Sequence, residues 1–255
     1  MASYPELAGK NAVVTGGSTG IGEAVARKLA EQGVNVVVVG RRNRESAERV
    51  AEDLRAMGTK SFAFLADVSK SDQVASLWTE IQRRDMAVDI LVNCAGGFPQ
   101  KRLLVETPDE EWDEIININL RSAFLCCKAA VPGMVERRWG RIVNVASEAA
   151  RTTLWLTAAH YAAAKAGLLG LTRHLAREVA PYGVTVNATA PSTTRSPRVE
   201  RVHTPESLKS VIDTIPMGRI AEAEEQADVI LFLASEGARY ITGHCIDVNG
   251  GKFGF

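Results

Sequence analysis

The chain has 255 residues, 46% of them hydrophobic and 24% charged, with 30 basic side chains against 30 acidic ones. That much apolar surface supports a sizeable core and excludes a disordered chain. The charge balance argues against nucleic acid or a membrane surface as a general partner.

No charged-then-apolar leader is recognised, and no apolar run nears the ~20 residues that span a bilayer, so a cytoplasmic protein is expected. Cys94, Cys126, Cys127 and Cys245 form no C-x-x-C pair and read as buried, reduced thiols. His160, His174, His203 and His244 lack ligand spacing, so no metal is expected.

Asn11 to Thr15 is a short apolar run that predicts a buried strand. Gly16-Gly17-Ser18-Thr19-Gly20-Ile21-Gly22 follows, and from Glu23 to Ala30 the apolar residues recur at helical spacing. Strand, glycine loop and helix in that order suit a dinucleotide. Glycines let the backbone turn tightly and approach a pyrophosphate, and the N–H groups and dipole of the helix start face its charge. The spacing is G-x-x-x-G-x-G rather than G-x-G-x-x-G, and a ligand-free turn is the plain alternative.

Val34 to Val39 predicts a second buried strand, ending in Gly40-Arg41-Arg42. An acidic residue at such a strand end accepts from a ribose 2′-hydroxyl. Two arginines stand here instead, and guanidinium pairs with phosphate through two parallel bonds. A 2′-phosphate is the better fit, so NADP(H) is favoured over NAD(H). The alternative is a pair of solvated arginines heading the charged helix from Arg44 to Met57.

Ser61 to Ala66 is a third strand, followed by Asp67-Val68 and an amphipathic segment from Ser71 to Arg84. Asp67 can accept from an adenine amine or, like Ser69, cap that helix. Asp89 to Val92 is a fourth strand. The small residues Asn93-Cys94-Ala95-Gly96-Gly97 after it suit a cofactor lying across the strand ends. Residues 108–137 carry one long helical period behind the acidic first turn Pro108-Asp109-Glu110-Glu111. Asn117 and Asn119 lie inside it, and asparagine disfavours a helix interior, which invites a functional reason.

Arg141 to Ala146 predicts a fifth strand leading to Ser147. Tyr161 and Lys165 follow on a helix running to about Ala180, stacked at i and i+4. A phenol ionises near pH ~10. An ammonium beside it favours the phenolate and lowers that value, which matches the phenol to a ketone/alcohol pair. Ser147 can offer its hydroxyl to the substrate oxygen. A core tyrosine with a solvated lysine is the bland alternative.

Gly183 to Ala188 is a sixth strand. Between Pro191 and Pro216 four of the nine prolines gather and the apolar period lapses. This predicts an irregular segment with at most one short helix, read as a lid at about 191–216. Ala223 to Leu233 is a last helix and Cys245 to Val248 a last strand. Repeated βα units without a linker predict one α/β domain over 1–255, a doubly wound parallel sheet with helices on both faces and ligands at the strands' C-terminal ends.

Thr15 to Gly22, Asn93-Cys94-Ala95-Gly96, Asn117-Ile118-Asn119-Leu120, Ser147, and Tyr161 with Lys165 stand in the order of one known family. The chain resembles the short-chain dehydrogenases/reductases over essentially its whole length. The resemblance implies a Rossmann-like seven-stranded sheet and a homotetramer built partly on the helices at 108–137 and 159–180. It implies Tyr161 as general acid/base and Ser147 bonding the substrate oxygen. Lys165 would hold the nicotinamide ribose, and Asn119 a water that relays protons to it.

Cofactor contacts implied in the same way begin with Gly16, Ser18, Thr19, Gly20, Ile21 and Gly22. They continue through Arg41, Arg42, Asp67, Val68, Asn93, Ala95 and Gly96, and end with Tyr161, Lys165, Pro191, Thr194 and Ser196. Phe98, Leu154 and Trp155, with Ser147 and Tyr161, would wall the substrate pocket. Cys94 replaces the family's second asparagine, a change that spares backbone contacts. Ser192 replaces the usual glycine after Pro191, which bears on the contacts of Thr194 and Ser196.

The implied activity is NADP(H)-dependent interconversion of a carbonyl and a secondary alcohol. A 3-oxoacyl-carrier-protein reductase is the general template, although sugar, steroid or small-ketone dehydrogenases look alike at this level. Arg195, Arg198 and Arg201 in the lid can meet an anionic substrate or a carrier protein, or be solvated surface. A silent cofactor-sensing or scaffold protein is the rival of another class. Its mark would be loss of Tyr161, Lys165 or Ser147, and all three are present.

Overall fold

A computed structural model describes residues 3–97, 101–153 and 157–253. Seven strands form one sheet: β1 (Asn11–Thr15), β2 (Asn35–Gly40), β3 (Phe62–Leu65), β4 (Ile90–Asn93), β5 (Gly140–Val145), β6 (Val184–Pro191) and β7 (Cys245–Val248). All pair in parallel, in the order β3-β2-β1-β4-β5-β6-β7. Parallel neighbours need crossover connections, which the helices provide.

Helices α1 (Gly20–Glu31), α2 (Arg44–Ala56) and α9 (Ala223–Ala234) share one core with Ala12, Val14, Val36, Val38, Ile90 and Val92. On the opposite face Val13, Val37, Val39 and Leu91 pack with α3 (Ser71–Arg83), α5 (Ser122–Arg137) and the C-terminal part of α6 (Ala159–Val179). Adjacent residues of one strand thus serve opposite layers, which is why these strands read as unbroken apolar runs. Strand order reverses between β1 and β4, and that switch point opens a crevice at the strands' C-terminal ends.

Two stretches differ from the sequence expectation. Residues 108–137 are not one α-helix: α4 (Asp109–Ile116) passes through a π turn (Asn117–Arg121) into α5. The segment after β6 holds two helices, α7 (Pro197–Val202) and α8 (Pro205–Ile212). The Oγ of Ser196 accepts from Val199 N, and the Oγ1 of Thr204 from Ser207 N, with proline next in each case. Cap followed by proline is a helix start, and short helices of this kind show too few turns for an apolar period.

Candidate active site

The glycine loop is pressed against the end of β4. Gly16 has φ +66°, and a Cβ there would stand 3.1 Å from the backbone of Ala95. A Cβ on Gly22 would run into the carbonyl of Gly16. Thr19, at the N-cap of α1, makes no side-chain cap bond, so its own cap residue leaves the first N–H groups of that helix open. A tight glycine turn at a helix start without a cap bond fits a pyrophosphate. Thr15 fastens it: its Oγ1 accepts from Cys94 N at 3.1 Å and Ala95 N at 3.0 Å. Sequence reasoning left Thr15 out of the site, although it heads the glycine motif.

Asn119 clips the next turn of chain. Its Oδ1 accepts from Gly97 N at 3.1 Å, while Nδ2 donates to Gly97 O and Ile115 O, each at 3.0 Å. The residue is buried within the π turn, a helix irregularity often found at functional sites. Gly96 fits between two of these groups. A Cβ there would stand 2.6 Å from Asn119 Oδ1 and 3.4 Å from Lys165 Nζ.

Lys165 is buried, and its Nζ donates to Val145 O at 2.8 Å. That Nζ lies 5.8 Å from the centroid of the Tyr161 ring. Burial pushes the ammonium down to about 8. The phenol of Tyr161 is pushed above its ordinary value, because desolvation outweighs the hydrogen bond to Ser147 and the charge of Arg198. The Ser147 bond and the Arg198 charge both act in favour of the phenolate. Ser147 is fixed beyond β5, its Oγ accepting from Ala149 N at 3.2 Å.

A glycine cradle, a buried lysine and a Tyr–Ser pair thus border one crevice at the sheet's switch point. A family model described as Enoyl-(Acyl carrier protein) reductase matches residues 16–252. The chain belongs to the short-chain dehydrogenase/reductase family. It is an NAD(P)-dependent oxidoreductase acting on carbonyl and alcohol groups.

This dehydrogenase/reductase is 42% identical over 255 residues to the 3-oxoacyl-[acyl-carrier-protein] reductase FabG of Pseudomonas aeruginosa, covering 97% of this chain and 98% of that protein. A crystal structure of a 3-oxoacyl-[acyl-carrier protein] reductase with bound NAD from Brucella melitensis matches with TM-score 0.89 and 34% identity, over 97% of this chain and 92% of that one. A putative gluconate dehydrogenase from Agrobacterium tumefaciens matches with TM-score 0.93 and 30% identity, over 98% of both chains.

At the other end of the crevice, Nε and Nη2 of Arg41 both lie 3.1 Å from Asp67 Oδ2. Asp67 Oδ1 accepts from Ser69 N and Oγ. Burial pushes this carboxyl up, but the Ser69 bonds and Arg41 more than offset it and leave it below the usual range. Asp67 thus clasps a turn and holds Arg41, and Arg42 is exposed. Ser18 sits at the same end, its Oγ 3.6 Å from the place of a Cβ on Gly40, and Ile21 packs partly on the core.

The side chain of Val68 is buried in the core, so only its backbone can meet a ligand. The same holds for Asn93, whose Nδ2 donates inward to Asn144 Oδ1 at 2.8 Å. Beyond Pro191, Ser192 has no positive φ, and glycine is not required there. Thr194 Oγ1 is turned onto Ser192 O at 2.9 Å. Ser196 does reach the cradle, its Cβ 3.5 Å from the place of a Cβ on Gly20. Phe98, Leu154 and Trp155 lie outside the described residues.

Proposed function

We propose that this dehydrogenase/reductase interconverts a carbonyl and a secondary alcohol with NADP(H), Tyr161 being the general acid/base. The observation that carries the reading is the hydrogen bond between Tyr161 and Ser147, with the buried Lys165 one helical turn on. The nicotinamide, when bound, supplies or accepts a hydride at the substrate carbon. Tyr161 gives its phenolic proton to the substrate oxygen on reduction and takes it back on oxidation. Ser147 steadies the same oxygen. An ammonium has three protons, and Lys165 spends one on Val145 O, leaving others for a ribose hydroxyl.

Both amide protons of Asn119 are engaged, so a relay water would meet the second lone pair of Oδ1. The cradle of Gly16, Ser18, Thr19, Gly20, Ile21 and Gly22 takes the pyrophosphate, and Asn93, Ala95 and Gly96 offer backbone to the nicotinamide side. Arg41 takes the 2′-phosphate, with Arg42 beside it. The segment at about 191–216 acts as a lid, which the approach of Ser196 to Gly20 supports.

Reduction of 3-oxoacyl thioesters on a carrier protein is the second reading, favoured by the FabG relatives. A homotetramer is supported by exposed Trp112 and Phe124 along α4 and α5, and light scattering would then report four times the 27.5 kDa chain. A reducing, cytoplasmic setting suits four free cysteines. No helix among the described residues is long and apolar enough to cross a membrane.

The deciding experiment follows NADPH oxidation by absorbance across ketones, aldehydes and acyl thioesters. Turnover of at least one class is expected. Silence across the panel with NADPH bound would leave the silent cofactor-sensing protein as the reading.

A further inference from the structure

We propose that Arg198 is an anion-binding residue of the substrate pocket, so that the substrate carries a carboxylate close to its carbonyl carbon, as in a 3-oxo acid. This rests on the oxidoreductase reading above and narrows its substrate class.

Placement comes first. Arg198 is in the first turn of α7, two residues after Ser196. Ser196 caps that helix and faces Gly20, so the start of α7 is pinned on the glycine cradle. Arg198 reaches toward the chemistry instead: its Nη1 is 3.7 Å from the place of a Cβ on Gly97, the residue clipped by Asn119. Its charge also acts on Tyr161. The guanidinium therefore stands beside the Gly97 turn that Asn119 clips.

Arg195 pairs with Glu222 at 3.0 Å, Arg219 with Glu225 at 2.6 Å and Arg151 with Asp247 at 3.0 Å, while exposed Arg201 on the same helix adds a second positive charge near Arg198. Arg198 has neither an ion pair nor a hydrogen bond among the described residues. Glu148, next to Ser147, is already held by Lys252 at 3.1 Å. Arg198 is exposed overall, and the covered part of its side chain lowers its pKa. A guanidinium stays protonated all the same. An unpaired guanidinium beside the crevice attracts an anion, and the planar fork of arginine matches a carboxylate through two parallel bonds.

The test measures kcat/KM with NADPH for acetoacetate, for its uncharged ester ethyl acetoacetate, and for acetoacetyl-CoA as a thioester. The wild type is expected to prefer the acid to the ester. In Arg198→Gln the acid-to-ester ratio should fall roughly tenfold to a hundredfold, chiefly through KM for the acid. Arg198→Lys should retain part of the preference, because charge survives while the fork is lost. Titration by NADPH fluorescence should show cofactor affinity changed by no more than about twofold.

An unchanged ratio in Arg198→Gln overturns the proposal. So does a wild-type preference for the ester or thioester, or a loss of NADPH affinity that matches the loss of activity. Turnover of ester or thioester with none of acetoacetate sinks this inference and leaves the oxidoreductase reading standing. Turnover of no probe, with NADPH bound, sinks this inference, and the wider panel of ketones, aldehydes and acyl thioesters then decides the oxidoreductase reading.

Discussion

Lys165 donates to the main-chain carbonyl of Val145 at 2.8 Å, although Tyr161 stands one turn before it on the same helix. Val145 ends β5 and lies two residues before Ser147. The lysine thus ties α6 to the strand end that presents Ser147, and so holds the Tyr161 and Ser147 hydroxyls on one side of the crevice. It positions the pair mechanically while its remaining protons stay available.

Tyr161→Phe removes the hydroxyl proposed as general acid/base and keeps the ring that fills its place. Loss of a positioned acid/base costs about 10²–10⁴-fold in rate. Turnover should fall by that range while NADPH affinity from fluorescence titration stays near that of the wild type. Retained turnover would remove Tyr161 from the mechanism.

Lys165 makes stability depend on pH with a definite sign. Its folded pKa is about 8 against an ordinary 10.5. Below about 8 both states carry the charge and the folded state bears its desolvation; above 10.5 neither carries it. In between, the unfolded chain holds the extra proton, so stability rises with pH. Lys165→Met lacks this term. The Tm of the variant minus that of the wild type should therefore shrink between pH 7 and pH 9.5 in thermal melts. A constant difference would show that burial does not depress this amine.

Gly96→Ala tests the packing of the clip. The new methyl would stand 2.6 Å from Asn119 Oδ1, so the Asn119–Gly97 bonds or the backbone must move. Overpacking of this kind costs about 1–3 kcal/mol. Calorimetry should show a lower Tm, and turnover should drop with it, since Lys165 Nζ borders the same space. Wild-type values for both would mean that the clip yields freely.

Arg41→Ala addresses cofactor choice. Asp67 holds the guanidinium at 3.1 Å, and a 2′-phosphate would recruit it with a charged hydrogen bond worth ~1.5–3 kcal/mol. Affinity for NADPH should weaken roughly tenfold to a hundredfold, and affinity for NADH hardly at all. Equal weakening of both cofactors would show that Arg41 only braces Asp67.

Much of this was legible in local sequence. Strands buried on both faces must be apolar at every residue, so β1, β2 and β4 announced themselves, and crossover helices carried the helical period between them. The glycine loop and the Tyr161/Lys165 spacing are local patterns too. The helix starts at Ser196-Pro197 and Thr204-Pro205 were readable as caps, even though the period around them was too short to declare two helices.

What the chain order alone determined is the layer architecture and the candidates for the reacting groups, because both follow from residue type within a few positions. Only the tertiary structure decided what each group touches. Arg41 is 26 residues from Asp67, Asn119 is 22 from Gly97, Lys165 is 20 from Val145, and Asn93 is 51 from Asn144. A side chain's direction is settled by packing between elements brought together over such separations. The same packing turned Asn93 inward and set Arg198 beside the Gly97 turn, and neither outcome is encoded in the neighbouring residues.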